Sequence, residues 1–117
     1  MYDSSIRLIE QKVTRTELKK IAEERFGDMV KAVVDLEKKI MAIGEEMHVD
    51  GEQLLLDSGS RQEDLWGINL YPDILDDNFI EFDSMINIRP RQNNRSRSVE
   101  DESIRQRIRE VVSRLVE

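Results

Sequence analysis

The chain has 117 residues, of which 38% are hydrophobic and 37% are charged, and its formal net charge is −7. This length suits one ordinary domain and excludes two large ones, so we expect a single domain over residues 1–117. The chain contains no cysteine, which excludes disulfides, thiolate metal sites and cysteine nucleophiles.

Two features of the sequence bear on membranes. Residues 1–7 lack the apolar core of a signal peptide. The longest uncharged stretch, Leu65 to Pro72, is much shorter than the roughly 20 apolar residues of a membrane-spanning helix. We therefore expect a cytoplasmic protein with no membrane partner.

The negative charge is unevenly distributed. Residues 89–117 contain eight arginines and five acidic residues, whereas residues 1–88 contain ten basic and twenty acidic residues. An acidic chain repels nucleic acid, but the arginine-bearing segment reverses that sign locally. Nucleic acid therefore stays open as a partner.

The first part of the chain predicts a strand and a helix. Residues 6–9 suggest a short strand. Thr14 and Glu17 form a capping box, in which each side chain can satisfy a free backbone group at a helix start. Gly27 is placed to end that helix in a left-handed conformation.

The next segment predicts two strands and a second helix. Apolar and polar residues alternate from Met29 to Leu36, which is strand spacing. Residues 39–47 predict another strand, with Gly44 as a bulge. Asp50 resembles a helix N-cap, and Gly59 would end a helix of about two turns.

The second half of the chain predicts two more strands and a final helix. Residues 65–71 form a strand that Pro72 ends, because proline cannot donate to a sheet. Residues 79–89 alternate most clearly, which predicts a strand with one buried face. A helix with an apolar stripe follows from Asp101. The predicted buried face of the 79–89 strand consists of Ile80, Phe82, Ile86 and Ile88.

The predicted element order is β-α-β-β-α-β-β-α. Short connections between consecutive strands favour antiparallel pairing. The expected fold class is therefore α+β, with a mainly antiparallel sheet of about five strands and three helices packed on one face.

The segment from Arg89 to Arg97 is the first candidate site, because it joins a strand end to a helix start. Arginine presents a planar, permanently charged fork that suits phosphate or carboxylate, and a helix N-terminus offers free N–H groups. Acidic residues at 100–102 compete there, so the alternative is a solvated loop whose arginines pair with the acidic body. The candidate ligand-binding residues are Arg89, Arg91, Asn93, Asn94, Arg95 and Arg97.

A polar face on the last two predicted strands is the second candidate site. Clustered carboxylates shift one another's pKa, which is how acid–base pairs arise. Alternating polar residues on a half-exposed strand are equally expected without any function. This secondary polar cluster comprises His48, Asn69, Tyr71, Glu81, Asp83 and Asn87.

A third pattern surrounds the only histidine. Glu46, His48 and Asp50 would share one face of a strand, and an imidazole with two carboxylates can hold a divalent ion. Asp50 is better explained as a helix cap, which breaks the triad. We therefore expect no metal and no cofactor.

Four motifs resemble a small prokaryotic family catalogued only as a domain of unknown function. They are LWGINLYP at 65–72, INIRP at 86–90, NRSR at 94–97 and VED at 99–101. The resemblance implies a bacterial or archaeal source and one compact domain, and it carries no activity. The resemblance implies glycine in relatives where this chain has Asn93 and Ser98, and therefore a stiffer loop here.

These observations leave three function classes open. The leading one is a small binding or regulatory domain that recognises a phosphate-bearing ligand or an acidic protein partner through the Arg89–Arg97 loop. The second is a small toxin-like nuclease or hydrolase that uses His48 or Asp83 with the arginines. The third is an interaction module without catalysis, in which the edge strand at 6–9 pairs with another chain or with a second copy to form a homodimer.

Overall fold

A computed structural model describes residues 5–117. The signal-peptide expectation rests in part on residues 1–4, which lie outside the described residues. In chain order, the helices and strands are β1 (Arg7–Ile9), α1 (Arg15–Arg25), β2 (Val30–Asp35), β3 (Ile40–Ile43), α2 (His48–Asp57), β4 (Leu65–Leu70), β5 (Ile80–Glu81) and α3 (Glu102–Leu115).

The five strands form one sheet in the order β1-β3-β2-β4-β5, and every neighbouring pair is antiparallel. β2 is central, while β1 and β5 are the edges. The predicted α+β class, element order and antiparallel pairing are confirmed.

Local signals set the helix boundaries as expected at three places. The Thr14 hydroxyl accepts the Glu17 N–H at 3.1 Å, and the Glu17 carboxylate accepts the Thr14 N–H at 3.2 Å. Gly27 follows α1 with φ +93°, a conformation in which a side chain would be strained. Asp101 caps α3 by accepting the Ser103 N–H at 2.8 Å.

The helices do not all lie on one face of the sheet, which corrects the prediction. Val34 packs in a large apolar cluster with Leu18 of α1 and Ile108 of α3. Its neighbour Val33 points the other way and packs with Leu55 of α2. Periodicity shows which side of each element is apolar, but on the α2 side of β2 Val33 lies between Lys31 and Asp35, so that side is not apolar in sequence. The sequence pattern therefore could not assign α2 to a face.

The predicted strand over 79–89 is wrong beyond its first residues. Pairing stops at Glu81, and two short 3-10 turns follow at 85–87 and 90–92. Ile80 packs against the large cluster, whereas Ile86 packs against the α2 cluster and Ile88 is 41% exposed. Alternation alone cannot distinguish a strand from turns that place apolar residues on both sides of a sheet.

Two other boundaries differ from the prediction. The strand expected over 39–47 ends at Ile43, and Gly44 follows with φ +87° rather than forming a bulge within it. α2 begins at His48, so Asp50 lies in its first turn and is not its cap. α2 has ten residues rather than two turns.

Among residues 5–117, no helix combines the length and apolar character that crossing a membrane requires.

Candidate functional site

Candidate residues from distant parts of the sequence meet along the outer edge of β4. The Asn69 amide donates to the Glu81 carboxylate at 2.8 Å and to the Asp83 carbonyl at 3.2 Å. The Tyr71 hydroxyl donates to the same Glu81 oxygen at 3.1 Å. The Asp83 carboxylate receives Nε and Nη2 of Arg97 at 2.8 and 3.2 Å. We name His48, Asn69, Tyr71, Glu81, Asp83 and Arg97 the β4 polar cluster.

His48 enters the β4 polar cluster from the start of α2. Its Nε2 lies 2.8 Å from the Ile68 carbonyl oxygen. A carbonyl only accepts, so Nε2 carries the proton and Nδ1 the lone pair. The ring is 7% exposed, and burial lowers the pKa of His48 to about 4 against the opposing effects of Ile68, Asn69 and Asp83. His48 is thus a neutral hydrogen-bond acceptor at physiological pH.

Asn69 has an unused acceptor beside that ring. Its amide nitrogen makes the two bonds above, while its Oδ1 is buried without a hydrogen-bond partner. An unpaired buried acceptor costs about 1–3 kcal/mol. Because this oxygen is buried beside the His48 ring, its cost falls on the folded protein, and a ligand on the surface does not reach it.

The guanidinium group of Arg89 is largely buried and already has hydrogen-bond partners. Its guanidinium donates to the carbonyls of Ile86 and Gln62 at 3.0 and 2.9 Å and to the Leu65 carbonyl. It lies 4.7 Å from the Trp66 ring centre and 3.9 Å from the Glu52 carboxylate. Burial lowers the pKa of Arg89, and the Glu52 charge opposes that effect. Arg89 therefore holds the start of β4 in place.

Asn87 acts as a substitute for a neighbouring strand, and it lies outside the β4 polar cluster. Its Oδ1 accepts the Gly67 N–H at 2.8 Å, and its Nδ2 donates to the Gly67 carbonyl at 2.9 Å. Its Nδ2 also reaches the Arg97 carbonyl at 3.0 Å. A Cβ on Gly67 would lie 2.5 Å from Ser84 Cβ, so glycine is required for this close approach.

The two adjacent asparagines shape the loop. Asn93 adopts φ +61°, the left-handed conformation that asparagine tolerates. The Asn94 amide donates to the carbonyls of Asn87 and Ser98, both at 2.7 Å, and its Oδ1 accepts the Glu100 N–H at 2.8 Å. Asn94 thus holds the loop through its side chain, whereas Asn93 contributes its backbone conformation and has an exposed side chain.

Three arginines of the loop point outward. Arg97 forms the ion pair with Asp83. The Arg95 N–H donates to the Glu100 carboxylate at 2.9 Å, and its exposed side chain lies near that acid. Arg91 is exposed, and within residues 5–117 its side chain has neither a hydrogen bond nor an ion pair. Of the predicted anion-binding residues, Arg91 and Arg95 are the most available.

The metal pattern around the histidine does not assemble. Glu46 points to Arg25 at 4.0 Å, and Asp50 lies within α2. Among residues 5–117, no group of three histidine, aspartate or glutamate side chains is arranged to hold a metal ion.

Glu45 was missed by sequence reasoning. Its side chain is fully buried, and neither carboxyl oxygen has a hydrogen-bond partner. The carboxyl packs where a side chain on Gly51 would otherwise sit. Burial, reinforced by the Asp50 charge, raises the pKa of Glu45 well above its usual value, despite nearby Lys31 and Arg25. Nothing in a Glu-Glu pair ahead of a helix distinguishes the buried acid from the exposed one.

The comparisons agree with the resemblance seen in the sequence. A family model described as a protein of unknown function (DUF5674) matches residues 7–115, so the chain belongs to that family. No curated protein and no solved structure matches the chain.

Proposed function

We propose that this domain binds a small polar ligand that carries a phosphate group. The phosphate would contact the outward arginines of the 91–97 loop, and the rest of the ligand would lie on the β4 polar cluster. The observation that carries the proposal is the hydrogen-bonded chain from Arg97 through Asp83 and Asn69 to Glu81, which joins the two candidate surfaces.

Two properties of this surface support the proposal. Asn94 holds the loop with several hydrogen bonds, so little ordering is needed when Arg91 and Arg95 meet a ligand. Arginine forks bind phosphate oxygens by charge-assisted bonds. On the β4 polar cluster, the exposed Glu81 carboxylate would receive hydroxyl or amino groups from the ligand.

The test is an NMR titration with two probes, inorganic phosphate and adenosine monophosphate. Both probes should shift the backbone amides of Asn93, Arg95 and Arg97, and the shifts should grow at low salt. Only the nucleotide should also shift the Asn69 side-chain amide. The proposal fails if those signals stay still while others move.

A pair of variants separates the site from general charge. Arg91→Ala combined with Arg95→Ala should weaken phosphate binding. Arg107→Ala, which removes an exposed arginine on α3, should leave binding unchanged. If both variants weaken phosphate binding equally, the binding depends on net charge alone and the loop site is refuted.

An acidic protein partner would use the same arginines. It would be indicated if a polyglutamate peptide shifts the loop amides while adenosine monophosphate does not. The Asn69 side-chain signal distinguishes the two cases, because a partner held only by the outward arginines leaves the β4 polar cluster untouched.

A nuclease or hydrolase is the second candidate function. It is favoured by the proximity of Asp83, whose charge acts on His48. It is opposed by the ion pair that occupies Asp83 and by the low pKa of His48, which makes the imidazole a weak base. Labelled RNA should be cut faster by the wild type than by a His48→Ala, Arg95→Ala double variant; equal rates would eliminate this function.

A homodimer through β1 is a further candidate. β1 lies at the edge of the sheet, a position from which a strand can pair with a strand of another molecule. Sedimentation at several concentrations would reveal self-association. A monomer at every concentration would exclude the homodimer.

A further inference from the structure

A cavity far from the loop lies between the start of α1, the second half of α3 and the segment before β5. Its volume is about 240 Å³, which is slightly below the range of about 300–1,000 Å³ that holds drug-sized ligands. Its floor includes the buried side chains Phe79 and Val112. The size and the apolar floor suit a molecule smaller than a typical drug, with an apolar part.

Two arginines line the cavity, and each has donors to spare. Nη1 of Arg15 donates to the carbonyls of Pro72 and Ile74, both at 3.2 Å, and its guanidinium lies 4.0 Å from the Phe79 ring centre. Nη1 of Arg109 pairs with Glu102 at 2.8 Å. Among the described residues, Nε and Nη2 of both arginines make no hydrogen bond, so each can bind an anionic group.

Two aspartates line the same cavity. One oxygen of Asp76 accepts the Asn78 N–H at 2.9 Å, and the other is available. The Asp77 carboxylate is exposed and has no ion pair within residues 5–117. Neither aspartate pairs with either arginine, although all four line one cavity. Charges of both signs are therefore present without neutralising each other.

We propose that this cavity binds a free α-amino acid with an aliphatic side chain. The carboxylate would pair with Arg109, the ammonium group with Asp77, and the side chain would lie on Phe79 and Val112. A small zwitterion with an apolar part matches the volume, the two signs of charge and the floor together. A simple anion would leave both aspartates without a partner, and a simple cation would leave the free donors of the arginines unused.

The test is an NMR titration with three probes of the same shape. L-leucine has both charged groups, leucinamide lacks the carboxylate, and 4-methylpentanoate lacks the ammonium group. Leucine should shift the signals of Phe79 and Val112 and bind at least about tenfold more tightly than either analogue, the effect of about 1.4 kcal/mol.

Two variants identify the partner of each charged group. Arg109→Gln should weaken the binding of leucine but not that of leucinamide. Asp77→Asn should weaken the binding of leucine but not that of 4-methylpentanoate. Arg107→Gln and Asp57→Asn are matched controls outside the cavity and should have no effect. Arg15 is unsuitable for this purpose, because its removal would also release the carbonyls of Pro72 and Ile74.

Three results would overturn this proposal. The first is an absence of NMR shifts with any aliphatic amino acid at millimolar concentration. The second is equal affinity for leucine and one of its analogues. The third is an equal loss of leucine affinity in the variants and in their controls. All are independent of the phosphate titration, because the loop and the cavity are probed by different ligands and different signals.

Discussion

The two faces of the sheet are built differently. The face under α1 and α3 carries one continuous apolar cluster, in which Val34, Trp66 and Ile108 are almost fully buried. The face under α2 has only four buried apolar residues in its cluster and ends at the β4 polar cluster. Apolar packing on the first face contributes most of the hydrophobic stabilisation, so the second face can contain polar groups whose burial costs free energy.

Two of those groups have opposite pKa shifts. Burial lowers the pKa of His48 and raises the pKa of Glu45, because burial disfavours the charged form of each. Both side chains belong to the start of α2 or the segment just before it. The α2 face thus contains two buried groups that make the stability of this domain depend on pH.

The largest expected effect comes from the face under α1 and α3. Ile108→Ala should lower the free energy of unfolding by about 2–5 kcal/mol, because it leaves a cavity in a packed cluster. Ile88→Ala, at a 41% exposed position, is the control and should change it by less than about 0.5 kcal/mol. Urea unfolding measures the free energy of unfolding of both variants. Similar decreases in the two would contradict the contrast between core and surface.

The next effect tests His48 on the α2 face. Its pKa is about 4 when folded and 6.5 in the absence of shifts, so the unfolded chain binds more protons between those values. Folding stability should therefore rise with pH over this range, and its loss on acidification should amount to roughly 3 kcal/mol.

His48→Gln should remove this part of the pH dependence, since glutamine does not titrate. The single histidine also gives one ring signal, whose NMR titration should have its midpoint at about 4. A midpoint near 6.5 would show that the ring is not buried as described.

A smaller effect on stability is expected at Asn87, whose side-chain amide pairs with β4 in place of a neighbouring strand. Asn87→Ala leaves the N–H and carbonyl of Gly67 without their partners, and we expect a loss of about 2 kcal/mol. Asn78→Ala is the control, because its side chain is exposed. Hydrogen exchange should become faster at Gly67 than at residues of β2. An unchanged exchange rate at Gly67 would contradict the role assigned to Asn87.

The smallest effect concerns Glu45. Folding raises the pKa of this acid, so at pH values above its ordinary pKa the folded chain binds more protons than the unfolded chain. The contribution of Glu45 to stability therefore falls as the pH rises. As the pH rises, the free energy of unfolding of Glu45→Gln should therefore increase relative to that of the wild type, by at most about 1.4 kcal/mol per pH unit. Parallel pH profiles of the two proteins, measured by urea unfolding, would refute a buried acid.

The local elements could be predicted where one signal acts within a few residues. The capping box at Thr14, the glycine after α1 and the cap at Asp101 all appear in the structure. The 79–89 segment could not, because its hydrogen bonds are made by side chains. Asn87 and Arg89 satisfy backbone groups of β4 that a regular strand would otherwise pair.

The candidate site was predicted in part. Five residues of the secondary polar cluster, Asn69 among them, do come together, but Asn87 lies apart and Arg97 joins them. The outward positions of Arg91 and Arg95 agree with a solvated loop, whereas the burial of Arg89 depends on contacts with residues far along the chain. Glu45 had no sequence signal at all.

The sequence by itself determined the α+β class, the element order and most helix boundaries, because periodicity and capping act over a few residues. Only the tertiary structure decided that α2 lies opposite the other two helices, that Asn87 replaces a strand, and that His48 meets Asn69 over β4. Those outcomes depend on contacts between residues distant in sequence, and a buried polar group takes whichever partner the fold brings to it.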